Sequence, residues 1–187
     1  MSRLIVDIVG LAGSGKSTVC TALDKDLDFS IHRTSDVLRQ YAADHGIQLK
    51  GREDYFRIHQ KLNQDNPLKI IEEIIDSPDQ KICLDGFRAP APFLELRQRF
   101  GAILIFLEVS DEERLRRIQA DNDRSGHRLA ESIEKLLADE AIDYSDDPNL
   151  PNMSEMKHLA DHVIDASKPL DEVVEEVKAI LKPLPQQ

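Results

Sequence analysis

The chain has 187 residues, of which 41% are hydrophobic and 32% charged, a composition typical of one soluble globular domain. No apolar run approaches the roughly 18 residues that would cross a bilayer. The formal net charge of −11 argues against a nucleic-acid partner, whose binding surface would carry a basic stripe. Cys20 and Cys83 lie in apolar stretches without metal or redox spacing. We therefore expect buried thiols in a cytoplasmic protein, either a monomer or a dimer.

Strand-like and helix-like segments alternate along the chain. Residues 4–9 are apolar, rich in β-branched residues and followed by Gly10, which predicts a buried parallel strand. The other strands are predicted over residues 29–33, 81–85, 102–109 and 162–165. Helices are predicted over residues 16–26, 35–45, 53–63, 68–76, 90–100, 111–121 and 170–181. This alternation predicts a three-layer α/β fold with a five-stranded parallel sheet, in which ligands bind outside the carboxyl ends of the strands.

A glycine-rich motif follows the first predicted strand and opens the first predicted helix. Residues 10–17 fit the pattern G-x-x-x-x-G-K-[ST]. Glycine lets backbone N–H groups turn around a polyphosphate, and the helix directs its positive dipole end at the same anion. Lys16 would contact the β- and γ-phosphates, and the Ser17 hydroxyl is suited to Mg²⁺. We expect ATP to contact Gly10, Ala12, Gly13, Ser14, Gly15, Lys16, Ser17 and Thr18.

A second candidate element is the carboxylate at the end of the strand predicted over residues 81–85. Asp85 could hold a Mg²⁺-bound water beside the glycine-rich loop. It could instead cap the turn at Gly86. Glu108, late in the fourth predicted strand, is a rival metal ligand, and Asp7 within the first strand could also reach the site.

Two further segments resemble the adenylate kinase and nucleoside monophosphate kinase family of P-loop proteins. Residues 34–39 are Thr-Ser-Asp-Val-Leu-Arg, where the family has Thr-Gly-Asp-Leu-Leu-Arg. Residues 84–88 are Leu-Asp-Gly-Phe-Arg, where the family has Leu-Asp-Gly-Phe-Pro-Arg. The resemblance implies that Thr34 lies near an acceptor nucleotide and that Arg39 and Arg88 hold its phosphate, with Arg88 also acting in catalysis. Guanidinium forks suit this task better than lysine does.

The resemblance extends over nearly the whole chain and implies a single domain with the P-loop NTPase fold. It also implies a helical acceptor-binding insert over residues 34–80. Ser35 replaces a glycine of the family, and the missing proline brings Arg88 one residue closer to Asp85. The insert shows no pattern that assigns a particular base, and the chain is also similar to dephospho-CoA kinase-like relatives.

Five arginines cluster within fifteen residues of this acidic chain. The cluster consists of Arg114, Arg116, Arg117, Arg124 and Arg128. It is similar to the lid of the family, here a short one over residues 117–130, whose arginines close over the transferring phosphate. This implies catalytic roles for Arg117 and Arg124, an ATP contact for Arg117 and an acceptor contact for Arg128. The alternative is a solvated helix face whose arginines pair with acidic neighbours.

These features together predict ATP- and Mg²⁺-dependent phosphoryl transfer to a small phosphorylated acceptor, a nucleoside or deoxynucleoside monophosphate. One alternative is dephospho-CoA kinase or another small-molecule kinase. A second is a P-loop ATPase that acts as a switch or assembly factor through a protein partner. The acidic residues 143–147 lack the regular ligands of an EF-hand and are expected to form a solvated loop.

Overall fold

The computed structural model describes residues 3–66, 68–120 and 132–182. The strands are β1 (Leu4–Val9), β2 (Ser30–Arg33), β3 (Lys81–Asp85), β4 (Ile103–Glu108) and β5 (His162–Asp165). The helices are α1 (Lys16–Leu27), α2 (Thr34–Asp44), α3 (Arg52–Asp65), α4 (Lys69–Asp76), α5 (Pro90–Phe100), α6 (Asp111–Ala120), α7 (Ile133–Glu140), α8 (Met153–Leu159) and α9 (Leu170–Leu181). One turn of 3-10 helix, Ala141–Asp143, follows α7.

The five strands form one sheet with the order β2-β3-β1-β4-β5, and every neighbouring pair is parallel. The predicted α/β fold is therefore confirmed. After β3 the chain crosses to the other side of β1 and adds β4. The carboxyl end of β1 thus lies where the strand order reverses, which is the position at which open parallel sheets bind their ligands.

Alternating side chains of each strand face two different hydrophobic cores. Val6 and Ile8 of β1 pack toward α1 and α9. Ile5 and Val9 pack on the opposite face, with the insert helices α2, α3 and α4 and with α5 and α8. Because both faces are covered, the central strands carry nearly continuous apolar runs, which is the pattern that made them recognisable in the sequence.

Local sequence signals determine where several helices begin and end. Pro90 occupies the first turn of α5, where its missing N–H costs no hydrogen bond, and Gly101 ends that helix at φ 67°. Helix α1 ends at Asp28, which has φ 61° and donates its N–H to the carbonyls of Asp24 and Leu23. The chain leaves this left-handed turn with the side chain of Phe29 in the core, so β2 begins at Ser30, one residue later than predicted.

Helices α7 and α8 lie in a part of the chain where the sequence predicts no element. They span 8 and 7 residues, too short for a clear apolar period. Each has an N-cap side chain that accepts a backbone N–H: Ser132 accepts from Lys135, and Asn152 accepts from Glu155. None of the helices within the described ranges is long and apolar enough to cross a membrane.

Candidate active site

The residues between β1 and α1, together with the first turn of α1, form a tight loop, called here the phosphate loop (residues 10–18). Gly13 and Gly15 have φ values of 82° and 94°. A Cβ atom at Gly13 would lie 2.8 Å from the Arg114 carbonyl oxygen, and one at Gly10 would lie 2.6 Å from Ser14 Oγ. These positions therefore require glycine. The first backbone N–H groups of α1 have no intrahelical acceptor and face an anion approaching the loop, so the loop fits a polyphosphate.

Lys16 extends from the start of α1 back across the phosphate loop. Its Nζ atom donates to the Leu11 carbonyl at 2.9 Å. A Cβ atom at Gly86, just after β3, would lie 3.3 Å from Lys16 Cε, so the lysine chain also borders the end of β3. Burial lowers the pKa of Lys16 to about 7, and the positive charge of Arg88 lowers it further. The loop thus holds an ammonium group that readily loses its proton until an anion binds.

The two carboxylates considered as metal ligands have cationic partners. Asp85, with a side chain only 7% exposed, accepts from Arg33 Nε at 3.2 Å. Glu108 pairs with Lys157 at an exposed position. No group of three or more His, Cys, Asp or Glu side chains poised to hold a metal occurs in the described part of the chain. A Mg²⁺ site built from Ser17, one carboxylate, substrate phosphates and waters needs no such group.

Asp7 lies in the middle of β1 and is fully buried. Its Oδ1 atom accepts the Phe87 N–H at 3.3 Å, and its Oδ2 atom has no hydrogen-bond partner among the described residues. Burial raises the pKa of Asp7 well above its ordinary value, and the nearby charge of Asp85 raises it further. A neutral side chain is therefore favoured here, beside Lys16 and Arg88.

Two arginines converge on a single carboxylate oxygen. Asp143 Oδ2 accepts from Arg88 Nη1 at 2.6 Å and from Arg52 Nη2 at 2.5 Å. Asp143 is buried, so the prediction of a solvated loop over residues 143–147 is wrong at this position. The two arginines pull its carboxylate out of solvent because a buried charge must be paired. Sequence reasoning missed Arg52, which lies 91 residues from Asp143 and belongs to no recognised motif.

The remaining predicted acceptor residues lie on α2. Thr34 lines a cavity of about 180 Å³, and its Oγ1 atom is buried without a described hydrogen-bond partner. The cavity lies between the carboxyl end of β2 and α4, with Val37 and Ile70 in its wall. Arg39 is half-exposed, pairs with Asp36, and is not one of the arginines that hold Asp143.

The described arginines of the predicted lid cluster have three different environments. Arg114 is buried and forms ion pairs with Asp111 and Glu140, so its assignment to a mobile arginine cluster is wrong. Arg116 lies on an exposed helix face and pairs with Glu113, as the alternative interpretation expects.

Arg117 is the described arginine that remains a candidate for contact with nucleotide. It pairs with Glu113 at 2.8 Å and donates from Nη2 to the Ala166 carbonyl, just after β5, at 2.8 Å. Arg124, Arg128 and most of the predicted lid lie outside the described residues.

The sheet order, the phosphate loop and Lys16 together define a P-loop protein of the kinase class. A family described as an AAA domain, AAA_17, matches residues 9–137, and the chain belongs to this family. UMP-CMP kinase 3 from Oryza sativa subsp. japonica is 25% identical over 193 residues, covering 96% of this chain and 86% of that protein. Cytidylate kinase from Pyrococcus abyssi is 24% identical over 126 residues, covering 59% of this chain and 70% of that protein.

The fold also occurs in a solved shikimate kinase from Acinetobacter baumannii in complex with shikimate. The TM-score is 0.60 at 16% identity, with 97% of this chain and 93% of that chain covered. At this identity the similarity concerns the fold alone. With the kinase relatives, it confirms the resemblance to nucleoside monophosphate kinases that the sequence motifs indicate.

The low pKa of Lys16 gives a testable proton linkage. Only the ammonium form attracts a polyphosphate strongly, so at pH 8 binding of Mg²⁺·ADP should take up close to one proton at Lys16. Calorimetry in two buffers with different ionisation enthalpies measures this uptake. The Lys16→Arg variant keeps its charge at pH 8 and should bind without the uptake. Equal proton uptake by both proteins would contradict the role of Lys16.

Burial of Asp7 predicts a pH-dependent stability. The pKa of Asp7 is raised in the folded protein, so its contribution is full below its unfolded pKa of about 3.9 and is lost as the pH rises through the folded value. Asp7→Asn removes this loss. Urea unfolding of the ligand-free proteins should therefore show a stability difference that shifts in favour of the variant between pH 5 and pH 8. A difference that does not change with pH would mean that Asp7 remains ionised in the folded protein.

Proposed function

We propose that this protein transfers the terminal phosphoryl group of ATP to a nucleoside or deoxynucleoside monophosphate. The observation that carries the proposal is the convergence of Arg88 and Arg52 on one anionic oxygen, beside the lysine of the phosphate loop. A kinase of this kind needs two anion sites next to each other. The phosphate loop supplies one, and the two arginines supply the other.

On the donor side, the backbone of residues 10–18 holds the polyphosphate and Lys16 contacts its outer phosphates. Ser17, exposed at the start of α1, and Asp85 at the end of β3 are the residues that would hold Mg²⁺. When bound, this ion neutralises part of the charge on the phosphates. Arg117 lies beside the backbone after β5 and would contact ATP from the α6 side.

On the acceptor side, Asp143 holds the two guanidinium groups in a common orientation while no substrate is bound. A phosphate dianion offers more charge and more acceptor oxygens than a carboxylate, and bidentate contacts with arginine are favourable. The cavity beside Thr34 is smaller than pockets for whole drug-sized ligands and suits one part of the acceptor, such as its base. The names of the relatives, UMP-CMP kinase and cytidylate kinase, make UMP and CMP the first acceptors to test.

The arrangement requires no strong base for the reaction. Phosphoryl transfer depends mainly on in-line positioning and on charge stabilisation. Lys16 and Arg88 interact electrostatically in the folded protein, so the transferring group would lie between a donor cation and an acceptor cation. Arg124 and Arg128 would add further positive charge from the predicted lid. No described base contacts both sites.

A second candidate is a small-molecule kinase whose acceptor carries a carboxylate and reacts through a hydroxyl group. The observation that favours it is the nature of the group already held by the arginines, since Asp143 presents a carboxylate. The shared fold with shikimate kinase is compatible with this alternative. Dephospho-CoA kinase activity and a slow ATPase acting on a protein partner complete the set to be distinguished.

A coupled assay that detects ADP formation distinguishes these functions. It uses ATP and Mg²⁺ with a panel of UMP, CMP, dCMP, AMP, shikimate and dephospho-CoA, and with a control that lacks any acceptor. We expect at least one monophosphate to raise the rate well above the control. Stimulation by shikimate or dephospho-CoA alone would favour the second candidate. ATP hydrolysis that no acceptor changes would overturn the kinase proposal and favour the switch ATPase.

The two arginines should act on the acceptor and not on ATP. Arg88→Ala and Arg52→Ala each remove a hydrogen bond to a charged group, so the KM for the acceptor should rise by roughly 10- to 100-fold. The KM for ATP should change much less. Arg57→Ala is the matched control because Arg57 lies on the same helix as Arg52, is 69% exposed, and pairs only at the surface with Glu53 and Asp54. Equal losses for both substrates would remove the acceptor role of the arginines.

A further inference from the structure

A buried ion pair lies beneath the phosphate loop and is not part of either proposed anion site. Arg114 of α6 and Glu140 at the end of α7 are each about 1% exposed. Arg114 Nη1 donates to Glu140 Oε1 at 2.9 Å, and Arg114 Nη2 donates to Asp111 Oδ1 at 2.6 Å. Two carboxylates thus surround one guanidinium, so Arg114 presents no free positive charge to a phosphate.

Both members of the pair also bind the backbone of one loop residue. Arg114 Nη1 donates to the Ala12 carbonyl at 3.1 Å. Glu140 Oε1 accepts the Ala12 N–H at 3.2 Å. The next residue, Gly13, lies directly against the backbone of Arg114, where a Cβ atom would be 2.8 Å from its carbonyl oxygen. The loop is therefore held on its outer side, opposite to the side that faces a nucleotide.

Stability gives little reason for an ion pair at this position. Removing two charges from water is costly, and apolar side chains of similar volume often replace buried ion pairs without loss of stability. Within the described structure, Arg114 Nε and Glu140 Oε2 are buried without a hydrogen-bond partner, which adds to the cost. The pair is better explained by what it contacts, namely the two hydrogen-bonding groups of Ala12.

We propose that Arg114 and Glu140 are positioning residues for the donor nucleotide. They fix the orientation of the peptide groups on either side of Ala12, so that the N–H groups that follow in the loop point toward the polyphosphate. This inference rests on the donor half of the proposed function. It is independent of the identity of the acceptor.

The test separates folding from nucleotide binding. In the double variant Arg114→Met/Glu140→Leu, the charges are replaced by apolar groups of similar size. We expect urea unfolding close to that of the wild type. The Kd for Mg²⁺·ATP, measured by calorimetry without acceptor, should rise by roughly tenfold or more, and the KM for the acceptor should remain nearly constant.

The single variant Glu140→Gln keeps an oxygen that can accept the Ala12 N–H but loses the charge. It should bind ATP more weakly than the wild type and more tightly than the double variant, because one of the two contacts with Ala12 is preserved. If the double variant does not fold, Glu140→Gln and the wild type still provide the comparison. An unchanged Kd for ATP in Glu140→Gln and in a folded double variant would overturn the proposal.

The matched control is a second ion pair at the opposite end of the strands. Arg97 Nη2 donates to Asp161 Oδ2 at 2.7 Å, and the same oxygen accepts the Leu104 N–H at the start of β4. Arg97→Met/Asp161→Leu should change stability without changing the Kd for ATP. An equal loss of ATP affinity in this control would show that the effect is general destabilisation.

The outcomes also separate this inference from the proposed function. If the wild type binds ATP but phosphorylates no acceptor, the kinase proposal fails and the positioning role is still measured through the Kd. If the wild type binds no ATP, both proposals are overturned.

Discussion

The structure depends on assembling positive charge at the carboxyl edge of the sheet in a chain with a net charge of −11. Lys16, Arg52 and Arg88 meet there, and each is close to a carboxylate of the same chain. These carboxylates reduce the repulsion between cations in the absence of substrate. They are also weaker and less numerous anions than the phosphates of a bound nucleotide, so an incoming substrate can compete with them.

The same constraint explains why the cations differ in their support. The Lys16 ammonium rests on a backbone carbonyl and loses its proton easily, whereas the arginines remain charged at all relevant pH values. Arg88 and Arg52 share one buried carboxylate, which fixes both guanidinium groups without neutralising them fully. Arg114 lies between two carboxylates and serves the backbone of the phosphate loop instead.

The parts of the fold that depend on local patterns could be predicted from the sequence. The bounds of β1, β3, β5 and α9 coincide with their predictions, because apolar runs and helical periods are local signals. The phosphate loop was recognised for the same reason: its spacing is contiguous in the chain. Helices α7 and α8 escaped prediction because one or two turns do not establish a period.

The contacts that complete the candidate site depend on tertiary structure and could not be predicted. Arg33 meets Asp85 because β2 and β3 pair in a particular register. The Asp143 carboxylate contacts arginines 55 and 91 residues away. Arg114 has the sequence context of an exposed, highly charged helix, and only the packing of α6 against the loop shows that it is buried. Charge patterns therefore indicated how many cations were available, but not which of them face a ligand.

The grip on Ala12 has a consequence for the order in which the protein matures during its synthesis. The phosphate loop leaves the ribosome early, yet its two backbone contacts come from Arg114 and Glu140, 102 and 128 residues further along the chain. Strand β1 likewise waits for β3 and β4 before either of its edges is paired. Because such distant contacts form late, the nascent chain carries a complete loop sequence well before it has an ordered loop. Capture of nucleotide is thereby postponed until most of the domain has been translated.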